Sequence, residues 1–254
     1  MDAIEFRQLE KLYHYTSMRN AISILASKRL FMGKLSNMND VMESFRPISA
    51  VIAYDDEEVF EWLNDAQKEL GSYRQASFTV DGRYLGFAIS SMWGHYADSG
   101  YGACIVLDKS RLISSLSEKG DFHFDNVKYR KNYCNNLRLN RNPAQYFKKN
   151  IIKIFFRKRK EWEVEQEFRV ICKNQNSPIA IDISDSIAAV IICRAREIDF
   201  NNDSIWNSDN YKMLRCIAPG IPILALTING KEPKLNDESG YEWYPGCEIP
   251  EFVV

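Results

Sequence analysis

Apolar and polar residues alternate along the chain with two periods, one typical of strands and one typical of helices. Apolar runs of strand length, roughly four to eight residues, predict strands at residues 12–16, 83–90, 101–108, 163–172, 187–193 and 221–228. Apolar residues at helical spacing predict helices at residues 20–25 and 55–70, and a third that begins at Asn142-Pro143. The first of these is capped by Thr16 or Ser17, and the third has Phe147, Ile151, Ile154 and Phe155 as its inner stripe.

The order of these elements predicts an α+β protein, because strands and helices interleave without a regular βαβ rhythm. No repeat, low-complexity tract or Pro/Gly/Ser-rich linker divides the 254 residues. We therefore expect one domain over residues 1–254. Residues 230–254, which are acidic and rich in Pro and Gly, are expected to form an ordered extension with little regular structure.

Composition indicates in which cellular compartment the protein is located and whether metals or disulfides are expected. The chain is 45% hydrophobic and 26% charged, which is typical of a globular protein. Its first residues, MDAIEFRQLEKLYHY, lack the apolar core of a signal peptide. No apolar run approaches the roughly 18 residues of a membrane-spanning helix. Six dispersed cysteines without C-x-x-C and only three histidines predict reduced thiols and no metal. The expected location is cytoplasmic, with no membrane partner.

The net charge of −1 conceals a strongly basic tract. Residues 128–160 contain 12 Lys and Arg and no Asp or Glu, so the remainder carries 21 positive against 34 negative side chains. On the predicted helix, Lys149, Lys153, Arg157 and Lys160 form one stripe, and Tyr129, Tyr133, Tyr146 and Phe147 are interleaved with the basic residues. Basic stripes with aromatic residues are typical of nucleic-acid contact. The alternative is a basic surface that pairs with the acidic remainder or docks an acidic partner.

The strongest candidate for catalysis is the segment Trp162-Glu163-Val164-Glu165-Gln166-Glu167-Phe168-Arg169. If it is a strand, Glu165, Glu167 and Arg169 share one face, roughly 6 to 7 Å from one another in succession. Two close carboxylates can stabilise a positively charged transition state or polarise a sugar hydroxyl, as in glycosyl transfer. The alternative is an exposed strand face with Glu–Arg cross-pairs.

Three further motifs are candidates for ligand binding. His14, in LYHYTS, lies on a strand that leads into a helix N-terminus, where free amides suit a ribose or a phosphate, although a lone histidine is often a hydrogen-bonded core residue. Asn39-Asp40 with Glu43 is either a ligand-binding loop or a turn before a capped helix. Trp93 and Tyr96 share a helix face, where they would stack on a flat ring or pack in the core.

Taken in order, these motifs resemble those of a bacterial domain-of-unknown-function family. The set is LYHYT, N-D-x-x-E, W-x-x-Y-A and W-x-x-E-x-E-x-R, and it spans residues 12–170. The usual N-D-P lacks its proline here, because Val41 follows Asp40. That family in turn is similar to ADP-ribosyltransferases, including toxins that modify DNA or RNA.

The resemblance implies an ADP-ribosyltransferase-like split two-sheet core with flanking helices and NAD as co-substrate. Glu167 would be the catalytic glutamate and Glu165 its upstream partner, which orients or deprotonates the acceptor. His14, with Tyr15, Thr16 and Ser17, would hold the nicotinamide ribose. Tyr96 or Trp93 would stack on the nicotinamide, and Asn39 would also contact NAD.

The sequence hypothesis is therefore an NAD-dependent mono-ADP-ribosyltransferase. Its setting would be a bacterial toxin or an antiviral, anti-phage effector, with an antitoxin as a possible partner. The basic tract favours RNA or single strands as the acceptor. The alternatives are a protein-directed ADP-ribosyltransferase, a non-catalytic nucleic-acid- or partner-binding module, and a nuclease that uses Glu43, His95 and Glu167.

Overall fold

The computed structural model describes residues 1–34, 57–131, 143–174, 178–193, 204–229 and 232–244. The strands of this part are β1 Lys11–Thr16, β2 Arg29–Phe31, β3 Gly33–Lys34, β4 Tyr73–Val80, β5 Ala103–Asp108, β6 Phe122–Asn126, β7 Lys128–Arg130, β8 Arg157–Arg159, β9 Glu167–Lys173, β10 Ala180–Asp182, β11 Ile187–Cys193, β12 Ile223–Asn229, β13 Glu232–Asn236 and β14 Glu242–Tyr244. The α-helices are α1 Ala3–Gln8, α2 Met18–Ser27, α3 Glu57–Gly71, α4 Ser90–Tyr96, α5 Lys109–Glu118, α6 Pro143–Phe155, α7 Ser204–Asn207 and α8 Asp209–Ile217. The predicted α+β class is confirmed.

The chain divides into two compact units, which β4 shares. Unit 1 comprises residues 1–30, 78–118 and 182–254, and unit 2 comprises residues 31–77 and 119–181.

In unit 1 the strands follow the order β14-β13-β12-β11-β5-β1, with the end of β4 beside β1. Within this sheet, β11 and β12 are parallel, and the other neighbouring pairs are antiparallel. Its core includes Tyr13, Phe87, Trp93, Leu224 and Trp243, and α8 packs against α2.

In unit 2 the start of β4 lies beside β9, and β6 pairs with β9 on its other side. Helices α3 and α6 pack on each other, and their apolar faces form a core with Tyr73 and Ile171. Ile151, Ile154 and Phe155 are buried there, which confirms these three members of the predicted inner stripe. The side chain of Phe147 lies outside the described residues.

Several predicted elements are confirmed with small shifts in their ends. The apolar run that predicted a strand at residues 187–193 forms β11 over the same residues. Ser17 caps α2, because its Oγ accepts a hydrogen bond from the Asn20 backbone N–H at 3.2 Å.

The strand predicted at residues 83–90 is wrong. This segment is a series of turns that leads into α4, and the strand that precedes it is β4. Asp81 holds the turn, because its Oδ1 accepts a hydrogen bond from the Gly86 N–H at 2.7 Å. The ring of Tyr13 lies so close to Gly86 that a Cβ there would stand 2.3 Å from it, so a larger residue would not fit.

The expectation of little regular structure beyond residue 230 is also wrong for the described part of that segment. Strands β13 and β14 form an antiparallel pair on the edge of the unit 1 sheet, and Leu235 and Trp243 are buried in its core.

Cys104, Cys172, Cys193 and Cys216 carry free thiols, in line with the predicted reduced state. No helix within the described ranges is long and apolar enough to cross a membrane.

Candidate functional site: a buried carboxylate pair in unit 2

Glu165 and Glu167 lie together in the interior of unit 2, and one lysine bridges them. The Nζ of Lys158 lies 2.5 Å from Oε2 of Glu165 and 3.4 Å from Oε2 of Glu167. The three residues are only 4 to 5% exposed. The alternative of an exposed strand face is therefore wrong: these are buried charges, which must be paired to be tolerated.

Arg169 holds Glu167 from the other side. Its Nε donates to Oε1 of Glu167 at 2.6 Å, and its Nη2 donates to Oε2 at 2.7 Å. Its Nη1 donates to the backbone carbonyl of Phe155 at 2.6 Å, at the last residue of α6. This guanidinium is fully buried and joins the carboxylate to a helix C-terminus, where a cation is favoured.

Aromatic and polar groups from several segments complete the site. The Tyr129 hydroxyl accepts a hydrogen bond from the Glu167 backbone N–H at 2.7 Å. The Lys158 ammonium lies 4.7 Å from the ring centroid of Trp162, which is a cation–π distance. The Ser77 side chain adds a hydrogen bond to the Glu167 carboxylate.

These contacts set the charge of Glu167. Burial by itself would raise the pKa of the Glu167 carboxyl, but Arg169 and then Lys158 and Ser77 lower it, and the pKa falls to about 2. Burial raises the pKa of the Tyr129 hydroxyl far above its usual range. At neutral pH the site therefore holds an ionised Glu167 beside a protonated phenol.

The local backbone differs from the strand predicted at residues 163–172. Residues Lys160–Glu165 form a 3₁₀ helix, Gln166 adopts a left-handed conformation with φ 47°, and β9 begins only at Glu167. Strand alternation therefore explains why Glu167 and Arg169 share a face, but not why Glu165 joins them. Glu165 reaches the cluster because the left-handed turn at Gln166 follows the 3₁₀ helix.

The carboxylate of Glu167 is nearly saturated with donors. A carboxylate offers about four lone-pair positions, and Arg169 takes two, Ser77 one and Lys158 one. The Lys158 contact is the longest of those with a measured distance, and Lys158 also has Glu165 as a closer partner. A ligand hydroxyl would therefore most easily replace Lys158.

The residues around His14 belong to unit 1. His14 lies on β1 opposite Ile105 of β5, it is half-buried, and its ring centroid lies 5.8 Å from that of Phe78. Tyr15 is buried, and its hydroxyl donates to the Gly86 carbonyl at 2.5 Å. Thr16 is buried as well, and Ser17 caps α2. The predicted strand leading into a capped helix is confirmed, whereas the role of these four residues in NAD binding stays a prediction.

Trp93 and Tyr96 lie on α4, as predicted. The Trp93 ring is buried, its Nε1–H donates to the Phe87 carbonyl at 2.8 Å, and it meets the Tyr15 ring edge-on at 5.1 Å. This is the core-packing alternative, in which the indole already has its partner. Tyr96 is half-buried and remains the better candidate for stacking on a ligand.

The predicted basic stripe is interrupted, because α6 ends at Phe155. Lys149 and Lys153 are exposed on the helix, but Arg157 lies on β8 and Lys160 opens the 3₁₀ helix. Lys160 is occupied by an ion pair with Glu163. The single-helix stripe is therefore wrong.

Two predictions concern residues that the structure does not describe, the motif of Asn39, Asp40 and Glu43 and the nuclease alternative. Asn39, Asp40 and Glu43 all lie in the segment 35–56, so the nuclease alternative has only His95 and Glu167 to compare. His95 is exposed on α4 in unit 1, and Glu167 belongs to unit 2.

Sequence reasoning missed the part that Lys158, Tyr129 and Ser77 play in the carboxylate cluster. In the sequence, Lys158 is one of the 12 basic residues of the tract 128–160. The available signals lie beside Lys158. Phe156 is an apolar residue two positions before it, and side chains alternate along β8, with Lys158 inward and Arg157 and Arg159 outward.

Comparison with known proteins gives one family match. No curated protein and no solved structure matches the chain. The family match covers residues 92–170, which include Trp93 to Ala97 and Trp162 to Arg169 but not LYHYT. The likeness to a family of unknown function is therefore confirmed over a shorter stretch than predicted. Residues 92–170 match the model of a family described as a protein of unknown function, DUF2971.

Proposed function

We propose that the protein is an NAD-dependent mono-ADP-ribosyltransferase with Glu167 as its catalytic carboxylate. The observation that carries the proposal is the environment of Glu167, a buried carboxylate that two hydrogen bonds from Arg169 and the nearby Lys158 ammonium keep ionised and fixed in orientation. Breaking the nicotinamide–ribose bond develops oxocarbenium character at the ribose, which a fixed carboxylate stabilises. The order of the sequence motifs resembles that of a bacterial domain-of-unknown-function family, which in turn is similar to ADP-ribosyltransferases, and this resemblance supports the same role and the split two-sheet core.

Lys158 gives a route by which Glu167 would bind the ribose. The 2′-hydroxyl would donate to Oε2 of Glu167 in place of the Lys158 contact at 3.4 Å. Lys158 would stay paired, because Glu165 already accepts from it at 2.5 Å. The exchange would leave no buried charge without a partner.

Glu165 would serve the acceptor, either by orienting it or by removing its proton. By the resemblance, His14 would hold the nicotinamide ribose, with Tyr15, Thr16, Ser17 and Tyr96 contributing to NAD binding. The acceptor we favour is RNA or another single strand, and we place the activity in a toxin or anti-phage setting.

The test is NAD turnover by Glu167→Gln and Glu167→Asp. The first removes the charge, and the second keeps the charge but withdraws it by one methylene, so both should lower turnover by about 100-fold or more. Glu163→Gln is the matched control, because Glu163 is an exposed acid four residues away and should leave turnover unchanged. Circular dichroism and thermal unfolding establish that each variant is folded. Unchanged turnover in folded Glu167→Asp and Glu167→Gln would refute the assignment.

One observation favours a second candidate, a non-catalytic nucleic-acid-binding module. The donors around Glu167 already satisfy its carboxylate, as in a structural ion cluster. Such a module would bind RNA with strong salt dependence and would consume no NAD.

A further inference from the structure

Strands β7 and β8 form a two-stranded parallel ribbon whose two faces differ completely in character. The register places Lys128 opposite Arg157, Tyr129 opposite Lys158, and Arg130 opposite Arg159. Because side chains alternate along a strand, Tyr129 and Lys158 share the inner face, which contacts the carboxylate pair. The outer face carries four cations: Lys128, Arg130, Arg157 and Arg159.

This cationic ribbon places like charges directly opposite each other, which is unfavourable in a sheet. Neighbouring strands lie roughly 4.8 Å apart, and residues two apart on a strand lie roughly 6.6 Å apart, so the four charges occupy a small rectangle. Burial of these four side chains does not offset the repulsion between their charges, because Lys128 and Arg130 are exposed and Arg157 and Arg159 are only half-buried.

Internal ion pairs offset only part of this charge. Lys128 lies 3.8 Å from Asp125, and Arg159 lies 3.1 Å from Glu161, both at the surface, where such pairs contribute little. Within the described ranges, neither Arg130 nor Arg157 forms an ion pair with a carboxylate. The tract 128–160 contributes no Asp or Glu of its own.

We propose that the cationic ribbon binds the phosphodiester backbone of a single-stranded nucleic acid. Guanidinium groups suit phosphate oxygens, because their N–H donors form two parallel hydrogen bonds to one group. A flexible single strand fits a patch of this size and can continue to the exposed Lys149 and Lys153 on α6, which ends two residues before β8.

This inference deepens the proposed function and rests on it for one point, that the bound strand is the acceptor. Binding itself is independent of NAD. The inner face of the ribbon contacts the carboxylate pair and the outer face binds nucleic acid, so substitutions on one face can be made without changing the other.

The test is equilibrium binding of fluorescent oligo(U) and oligo(dT) by the full chain without NAD, measured by anisotropy over a range of salt concentrations. We expect both oligonucleotides to bind and Arg130→Gln/Arg157→Gln to reduce the slope of log K against log salt by about 1.4, since each single-strand phosphate contact contributes roughly 0.7. Arg29→Gln/Arg215→Gln removes two exposed guanidinium groups elsewhere and should leave the slope unchanged. NAD hydrolysis should survive in both double variants.

Three results would overturn the inference: an unchanged slope in the ribbon variant, equal losses in the ribbon and control variants, or tighter binding of polyglutamate than of oligo(U). The last would identify an acidic protein as the partner. Loss of NAD hydrolysis by Glu167→Gln with RNA binding intact would leave both proposals standing. RNA binding without any NAD hydrolysis by the wild-type protein would remove the transferase and leave the ribbon.

Discussion

At Glu167, burial and charge act in opposite directions. Burial disfavours the ionised carboxylate, while Arg169 and Lys158 favour it more strongly, and the pKa settles at about 2. The bidentate contact from Arg169 also fixes the orientation of the carboxyl group. A carboxylate that is both ionised and immobile is what stabilisation of a developing cation requires.

The depressed pKa of Glu167 predicts how stability depends on pH. Because the folded-state pKa lies below the unfolded value of 4.5, the contribution of Glu167 is complete above about pH 4.5 and is lost as pH falls toward 2. Urea unfolding of the wild-type protein and Glu167→Gln, measured from pH 6 to 2, tests this. The stability difference should be largest above pH 4.5 and should shrink below it. A constant difference over the whole range would contradict the ionised, clamped state.

At the scale of elements, three short segments of backbone each contribute one charged residue to the buried cluster. Strand β8 supplies Lys158, the 3₁₀ helix supplies Glu165, and the first residue of β9 supplies Glu167. The ion pairs of the cluster therefore join β8 and the 3₁₀ helix to the first residue of β9.

Lys158→Met tests this role of the lysine. The variant keeps most of the side-chain volume but removes the ammonium group that pairs with Glu165 and Glu167, and breaking a buried pair in this way costs about 3 to 5 kcal/mol. Lys160→Met, which disrupts only the exposed pair with Glu163, should cost less than about 1 kcal/mol. Urea unfolding at pH 7 measures both. Equal small losses would show that the buried contacts contribute nothing to the stability of unit 2.

The elements that the sequence predicted well are those whose own residues determine them. Strand β11 is a continuous apolar run, and α2 begins at a serine cap. Strand β4 is not predicted because it contains Arg74 and Gln75, polar residues that are buried with side-chain hydrogen bonds to residues nearby in the chain. Arg74, for example, donates from Nη1 to the carbonyls of Gly71 and Tyr73.

The sequence predicts only the part of the candidate site that follows from local pattern. Alternation along a strand pairs Glu167 with Arg169, and the sequence reveals that directly. The left-handed turn at Gln166 has no glycine to announce it, and Lys158 looks like any other residue of a basic run. Contacts with Glu165 and Glu167, which the local residue pattern does not show, give Lys158 its role.

At the scale of the whole molecule, charge is divided along the chain. The 12 basic residues of the tract 128–160 all belong to unit 2, which also contains Glu165 and Glu167. Unit 2 thus combines the ionised Glu167 with exposed cations such as Lys128, Arg130, Lys149 and Lys153. A near-neutral total charge excludes general attraction to polyanions but not local binding to one ribbon.

Transfer of label from NAD to RNA tests the central claim most directly. Purified wild-type protein and Glu167→Gln are incubated with RNA and NAD labelled in the adenylate moiety, and label is measured in RNA, in protein and as free ADP-ribose. We predict that label enters RNA with the wild-type protein and that transfer falls to background with folded Glu167→Gln. No consumption of NAD by the folded wild-type protein, or equal labelling by both proteins, would contradict the account.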